Sequence, residues 1–142
     1  MATVELRFSA LPEHVRTARL VAAAVARRAG VDEAVLDEVR LAVGEACSRA
    51  VGLHQSAGIT SPVQVKLVEE EKQFSIEVGD EAPRAAPGDR AAGAGDDVET
   101  EEDEMGLAVI SGLVDDVEVS AGKHGGSIRM TWPTTPPVAV LP

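Results

Sequence analysis

Five short stretches of the chain alternate between apolar and polar residues, which is the pattern of β-strands with one buried face. The second and third flank a charged run at 69–72, and the fourth and fifth flank the run AlaGlyLysHisGlyGly at 121–126, so we predict two hairpins. The five predicted strands lie at residues 3–8, 63–67, 74–78, 117–119 and 128–132.

Three other stretches space their apolar residues three and four positions apart, as amphipathic helices do. We predict helices over 13–29, 33–53 and 105–116. Pro12 suits the first turn of the first helix and Gly30 ends it. The order β-α-α-β-β-α-β-β predicts an α+β two-layer sandwich, in which helices cover one face of a mainly antiparallel sheet.

Two segments lack any periodicity. Residues 81–104 consist largely of Pro, Gly, Ala and acidic residues, and we expect a long mobile loop there. The tail 134–142 has three prolines and is expected to be disordered. The predicted strands and helices together indicate one domain over residues 1–133.

Charge is concentrated in the predicted loop. The chain has 142 residues and a net charge of −11, of which residues 80–104 carry −8. A nearly neutral domain with one acidic insert disfavours direct binding to nucleic acid or to an anionic membrane.

The remaining composition limits where the protein is expected to be and which sites it is expected to have. No apolar run is long enough to span a bilayer and no signal peptide is evident, so a cytoplasmic protein is expected. One cysteine and three scattered histidines give no reason to expect a metal site.

Four motifs occur in an order that resembles the Bergerat ATP-binding fold of GHKL proteins. More closely, they resemble the RsbW-type anti-sigma factors, small serine kinases of bacterial partner-switching systems. The resemblance covers about residues 4–132 and rests on FSALPEHVRTARL at 8–20, EACSRAVGLH at 45–54, VGDEAPR at 78–84, and the stretch from 104 to 132 that begins EMGLAVISGLVDD.

The resemblance implies that Glu45 is a catalytic general base that activates a hydroxyl. Four residues further on, the family has an asparagine that binds Mg²⁺, but this chain has Arg49, which has no acceptor atom. Two interpretations stay open. Glu45 and Arg49 form an ordinary i, i+4 ion pair, or Arg49 replaces the charge of the metal against a phosphate.

The first glycine box is degenerate. Asp80 matches the carboxylate that hydrogen-bonds adenine in the family, but Ala82 and Arg84 stand where the family has glycines, with Pro83 between them. Side chains at such positions hinder close approach of a nucleotide.

The second glycine box retains Gly106 and Leu107 and carries Glu104 in place of a glycine. Near the end of the chain, Gly126 and Ser127 match an element that lies under the adenine in relatives. The glycine pair at 125–126 also suits an ordinary hairpin turn, which we favour slightly.

The family's partner-binding region corresponds to Glu13, Arg16 and Arg19.

The loop segment 95–104 has seven acidic residues and no basic one. In ATP-binding relatives this loop is a lid that closes over the phosphates, and a lid with this charge would repel a triphosphate. It is either a solvated loop without a partner or a gate or decoy for a basic partner surface.

Two functions are therefore expected. The first is an anti-sigma factor that sequesters a sigma factor, is antagonised by a STAS-domain anti-anti-sigma factor, and binds no cofactor efficiently. The alternative is an active serine kinase that uses Mg-ATP to phosphorylate the STAS partner. Residual binding of ADP or ATP stays open, and the resemblance also implies a homodimer.

Overall fold

The structure is a computed structural model that describes residues 2–83, 107–114 and 116–134. Within these ranges the chain forms five strands and three α-helices, with 3₁₀ turns at Pro12–His14 and Glu33–Val35 leading into the first two helices. In chain order the elements are β1 (Ala2–Phe8), α1 (Val15–Ala29), α2 (Leu36–Ala57), β2 (Val63–Glu69), β3 (Gln73–Asp80), α3 (residues 107–113), β4 (Asp116–Gly122) and β5 (Gly125–Pro133).

All five strands pair antiparallel in the order β1-β2-β3-β5-β4. The inner sides of β2, β3 and β5 are buried together with residues of all three helices, and Ile110 is the fully buried residue of α3. The predicted α+β sandwich with an antiparallel sheet is confirmed.

Both long helices end in the same way. Gly30 and Gly58 take left-handed backbone conformations, with φ of 100° and 68°. The next amide in each case, that of Val31 or Ile59, bonds back to a carbonyl five residues earlier. This Schellman arrangement satisfies the last carbonyls and explains why α2 continues to Ala57 rather than ending at 53 as predicted.

The third helix and the last hairpin also differ from the predictions. The helix ends at 113, and Asp116 already belongs to β4, so the predicted helix boundary at 116 is wrong. The hairpin turn consists of Lys123 and His124 alone, and residues 125–126 lie within β5. Gly125 closes this turn opposite Gly122 with a positive φ, so the hairpin interpretation holds for Gly125 but not for Gly126.

A row of alternating charges crosses the outer face of the sheet. The side chains at directly opposite positions carry successive negative and positive charges from one edge to the other, in the order Glu5, Lys66, Glu77, Arg129 and Glu118. Opposite charges across a pair of strands favour that pairing, whereas like charges oppose it. The row therefore supports the observed register over alternatives shifted by two residues.

Most of the predicted loop and tail falls outside the described residues, which include only 81–83 of the loop and Thr134 of the tail. In the described ranges, no helix is both long and apolar enough to cross a membrane.

Gly125 is held by a close approach between β5 and the end of β3. Its φ is +121°, and a Cβ at this position would lie 2.0 Å from the carbonyl oxygen of Asp80 and 2.7 Å from Cα of Glu81. Neither atom can move without shifting the backbone. The position therefore requires glycine and fixes where Asp80 ends its strand.

We expect Gly125→Ala to destabilise the fold by at least about 2 kcal/mol, because it combines a backbone clash with a disfavoured φ. Chemical denaturation would measure the loss. Gly122→Ala is the matched control, since Gly122 pairs with Gly125 across the hairpin but has open space around its Cβ position. An equal loss in both variants would contradict the close-approach explanation.

Candidate functional site

A groove of about 660 Å³ lies between the start of α1, the middle of α2 and α3. It brings together the predicted general base, Glu45, and all three predicted partner-binding residues, Glu13, Arg16 and Arg19. This volume is within the usual range of ligand pockets. The complete lining is Pro12, Glu13, Val15, Arg16, Arg19, Leu41, Gly44, Glu45, Ser48, Val109 and Leu113.

Large apolar side chains in the groove are exposed to solvent. Leu41 on α2 is 56% exposed and Val109 on α3 is 42% exposed. Single exposed apolar residues are common on protein surfaces, but here two of them flank a concave surface that also carries charges. Apolar anchors beside charged groups are the usual composition of a protein-docking surface.

The two arginines of the groove differ from most other arginines in the described residues. Neither Arg16 nor Arg19 forms an ion pair there, although the chain as a whole has a large excess of acidic residues. Five others do pair with carboxylates, and these pairs are Arg7–Glu5, Arg27–Glu33, Arg28–Glu69, Arg40–Asp37 and Arg129–Glu70. The groove thus presents two guanidinium groups to a carboxylate from outside.

Arg19 lies across α2 at a glycine. A Cβ on Gly44 would be 2.8 Å from Cδ of Arg19 and 3.5 Å from its Cγ. The absence of a side chain at 44 therefore lets the aliphatic stem of Arg19 rest directly on α2. Sequence reasoning missed the role of Gly44, because nothing in the sequence shows which side chain crosses it.

Glu45 is half-buried on α2, and within the described residues it forms no ion pair with Arg49. The interpretation of these two residues as an ordinary i, i+4 pair is therefore wrong. Arg49 is itself engaged in another interaction. The carboxylate of Glu45 is left facing the groove.

A second group of predicted site residues meets at the end of β3. Asp80 is 7% exposed, and its Oδ1 accepts a hydrogen bond from the backbone N–H of Ala82 at 2.9 Å. Gly126 pairs directly with Asp80 across the sheet, and Ser127 pairs with Gly79. The structure thus brings Asp80, Ala82, Gly126 and Ser127 together.

Of the other residues predicted to contact a nucleotide, only one lies within the described ranges. Leu107 is half-buried at the start of α3. Arg84, Gly106 and Glu104 lie outside the described residues, as does the acidic segment 95–104.

His54 links α2 to the segment that follows β3. The ring is fully buried, and its Nε2 accepts a hydrogen bond from the backbone N–H of Glu81 at 2.9 Å. Its Nδ1 therefore carries the proton and donates to the carbonyl oxygen of Ser61 at 3.0 Å. His54 is the last residue of the motif EACSRAVGLH, so the sequence marks this residue. Its role in linking α2 to the segment that follows β3 was not predicted.

Comparison with known proteins now identifies the family. The profile described as "Histidine kinase-like ATPase domain" matches residues 8–132, which is most of the chain. The chain belongs to this family. The predicted resemblance to GHKL proteins of RsbW type is confirmed.

Two relatives of this ATPase domain are informative. The serine-protein kinase RsbW of Bacillus licheniformis is 28% identical over 134 residues, which cover 90% of this chain and 83% of that protein. The crystal structure of the RsbU and RsbW domains of Rv1364c from Mycobacterium tuberculosis superposes with a TM-score of 0.69 at 16% identity. That match covers 96% of this chain but only 33% of the larger protein, and it supports the fold alone.

The family implies possible binding of a nucleotide and Mg²⁺. The donor set of the motif EACSRAVGLH does not fit the metal, because Arg49 offers only hydrogen-bond donors where the family has an amide oxygen. Ala82, where the family has glycine, is buried at 4% exposure. Among the described residues, no group of three or more His, Cys, Asp or Glu side chains is placed to hold a metal ion.

Cys47 lies in the same motif but offers no reactive thiolate. Its side chain is fully buried in the core, and burial raises the pKa of the thiol to about 12. The thiol therefore stays protonated at neutral pH, and it acts as a small apolar side chain.

We expect Gly44→Ala to move Arg19 without destabilising the fold, because the clash involves a flexible side chain and alanine favours the helix by about 0.5–1 kcal/mol. NMR of the Nε–H group of Arg19 would detect the displacement, and thermal unfolding would report stability. Gly52→Ala, on the same helix with open space around its Cβ position, is the control and should leave the Arg19 signal unchanged. If Gly44→Ala left that signal in place, the described contact would be wrong.

Proposed function

We propose that the chain is an anti-sigma factor that sequesters an RNA polymerase sigma factor and is antagonised by a STAS-domain anti-anti-sigma factor. The observation that carries this proposal is the groove, in which Arg16 and Arg19 are both unpaired within the described residues beside exposed apolar side chains. The similarity to RsbW supports the partner-switching class.

The groove is suited to a partner segment that combines carboxylates with apolar side chains. Arg16 and Arg19 are one turn apart on α1 and supply two positive groups, and a guanidinium binds a carboxylate in a bidentate geometry. Leu41 and Val109 supply apolar contact area, since both are exposed before binding. A partner that covers them removes apolar surface from water while it neutralises both arginines.

We further propose that this function needs no efficient binding of ATP. The support is chemical, because Arg49 cannot ligate Mg²⁺ and Ala82 has a buried side chain where the family has glycine. Binding alone then controls the sigma factor, through competition between two partners for one surface. A homodimer is also part of the proposal, from the same resemblance.

A second function is supported by Glu45. Its carboxylate lines the groove and forms no ion pair within the described residues, so it is placed to accept a proton from a hydroxyl that a partner brings into the groove. The relative from Bacillus licheniformis is named a serine-protein kinase. The alternative is thus a serine kinase that phosphorylates its STAS-domain partner, with Mg-ATP as phosphate donor.

Capture from the native host tests the proposal. The tagged chain is purified from its host and the bound proteins are identified by mass spectrometry, and we expect a sigma factor among them. Because Arg16→Glu and Arg19→Glu reverse the charges of the groove, each should weaken binding of the recombinant sigma factor about tenfold or more. Arg40→Glu is the control, since Arg40 is outside the groove. Capture of other proteins without a sigma factor would contradict the anti-sigma proposal.

Glu45→Ala separates the two candidate functions. Under the anti-sigma proposal, neither the original chain nor the variant transfers phosphate from ATP to a STAS-domain partner. Phosphate transfer that is lost in Glu45→Ala while partner binding remains would establish the kinase function instead.

A further inference from the structure

The sheet has an open edge at β4. In the described part of the chain, β4 pairs only with β5, and the edge runs over the seven residues from Asp116 to Gly122. On the side away from β5, its backbone donors and acceptors meet no other strand within these ranges. Such an edge is a template for one more strand, and a partner protein can supply that strand by β-augmentation.

The inner side of β4 is incompletely covered. Val117 and Val119 pack against the core but stay only half-buried. The residues directly opposite them on β5, Met130 and Ile128, are fully buried. A further strand beside β4 would bring its own apolar side chains next to the two valines, and this contact would remove apolar surface from water.

The row of alternating charges on the outer face of the sheet ends at β4 on a negative residue, Glu118. Arg129 lies opposite Glu118, but its ion pair is with Glu70, at 3.5 Å. Within the described residues, neither Glu118 nor Asp116 on the same side of β4 forms an ion pair. A basic side chain on the next strand would therefore continue the alternation and stabilise the pairing.

The same charges disfavour a second copy of the chain at this edge. Asp116 and Glu118 are both exposed, and β4 contains no basic residue. Two β4 strands side by side would place like charges opposite each other, which destabilises a strand pair. Acidic side chains thus protect the edge against self-association and leave it open to a strand of opposite charge. The edge at β1 shows no such preference, because Glu5 is already paired with Arg7.

We propose that β4 is a docking edge for an extended segment of a second protein, in which basic and apolar residues alternate. Its basic side chains lie beside Asp116 and Glu118 on the outer face, and its apolar side chains lie beside Val117 and Val119 on the inner face. None of these four residues lines the groove. The inference therefore goes beyond the anti-sigma proposal, and a partner at β4 leaves the groove free for another.

Binding of a model peptide to the full chain tests the proposal. The probe is a short labelled peptide in which valine and lysine alternate, and fluorescence anisotropy measures its affinity. Because Glu118→Lys places like charges beside each other, we expect it to weaken binding about tenfold or more. Glu71→Lys is the matched control, since it makes the same change of net charge in the exposed turn between β2 and β3 and should leave the affinity unchanged.

A second peptide reverses the charges. When glutamate replaces lysine in the probe, we expect the original chain to bind it at least about tenfold more weakly than the lysine peptide. Glu118→Lys should bind this glutamate peptide more tightly than the original chain does. Circular dichroism of each variant confirms that it is folded, so a change in affinity is not a result of unfolding.

Hydrogen exchange of the backbone amides, followed by NMR, separates strand addition from attraction between charges alone. Alternate amides of an edge strand point away from its neighbour, so we expect those of β4 to exchange freely in the unbound chain and to become protected with the lysine peptide. Three results would overturn the proposal: no binding of the lysine peptide, an equal loss of affinity in Glu118→Lys and Glu71→Lys, or binding that leaves the β4 amides exchanging. Protection of all β4 amides before the peptide is added would also overturn it, because another part of the chain or a second copy would then cover the edge. The sigma factor is captured in a separate experiment, so either proposal can fail alone.

Discussion

Small side chains along α1 and α2 are the constraint on which the helical layer depends. Four of the five buried residues of α1 are alanines, and α2 buries three more alanines beside its valines. Short side chains let two helices lie close to each other and to the sheet. One consequence is that the stem of Arg19 rests on Gly44, and Arg19 lines the groove together with Glu45. The charged surface of the groove thus follows from the size of the residues beneath it.

The order and type of the elements could be predicted, because hydrophobic periodicity reports directly on which face of an element is buried. The boundaries were less accurate where backbone geometry decides them. Gly58 extends α2 by a turn through its left-handed conformation, and Gly125 serves a close contact with Asp80 as well as the hairpin turn. A sequence marks such glycines but does not show which distant backbone atom they approach.

The candidate site could be predicted in its residues but not in its pairing. Motifs marked Glu45 and Arg49 as neighbours on one helix, and spacing alone favoured an ion pair between them. The structure instead leaves Glu45 facing the groove together with Arg16 and Arg19, while Arg49 is engaged elsewhere. Pairing depends on how side chains from separate elements pack, and His54 shows the same limit because its two partners, Ser61 and Glu81, lie on segments outside its own helix.

The central claim is that this ATPase-like domain uses its groove to hold a protein partner and does so without a nucleotide. The most direct test is calorimetric titration of the sigma factor captured from the native host, first in the absence of nucleotide and then with saturating Mg-ATP. We expect the same dissociation constant in both titrations and no heat from Mg-ATP alone. Binding of the sigma factor that requires Mg-ATP, or tightens about tenfold or more in its presence, would contradict the account.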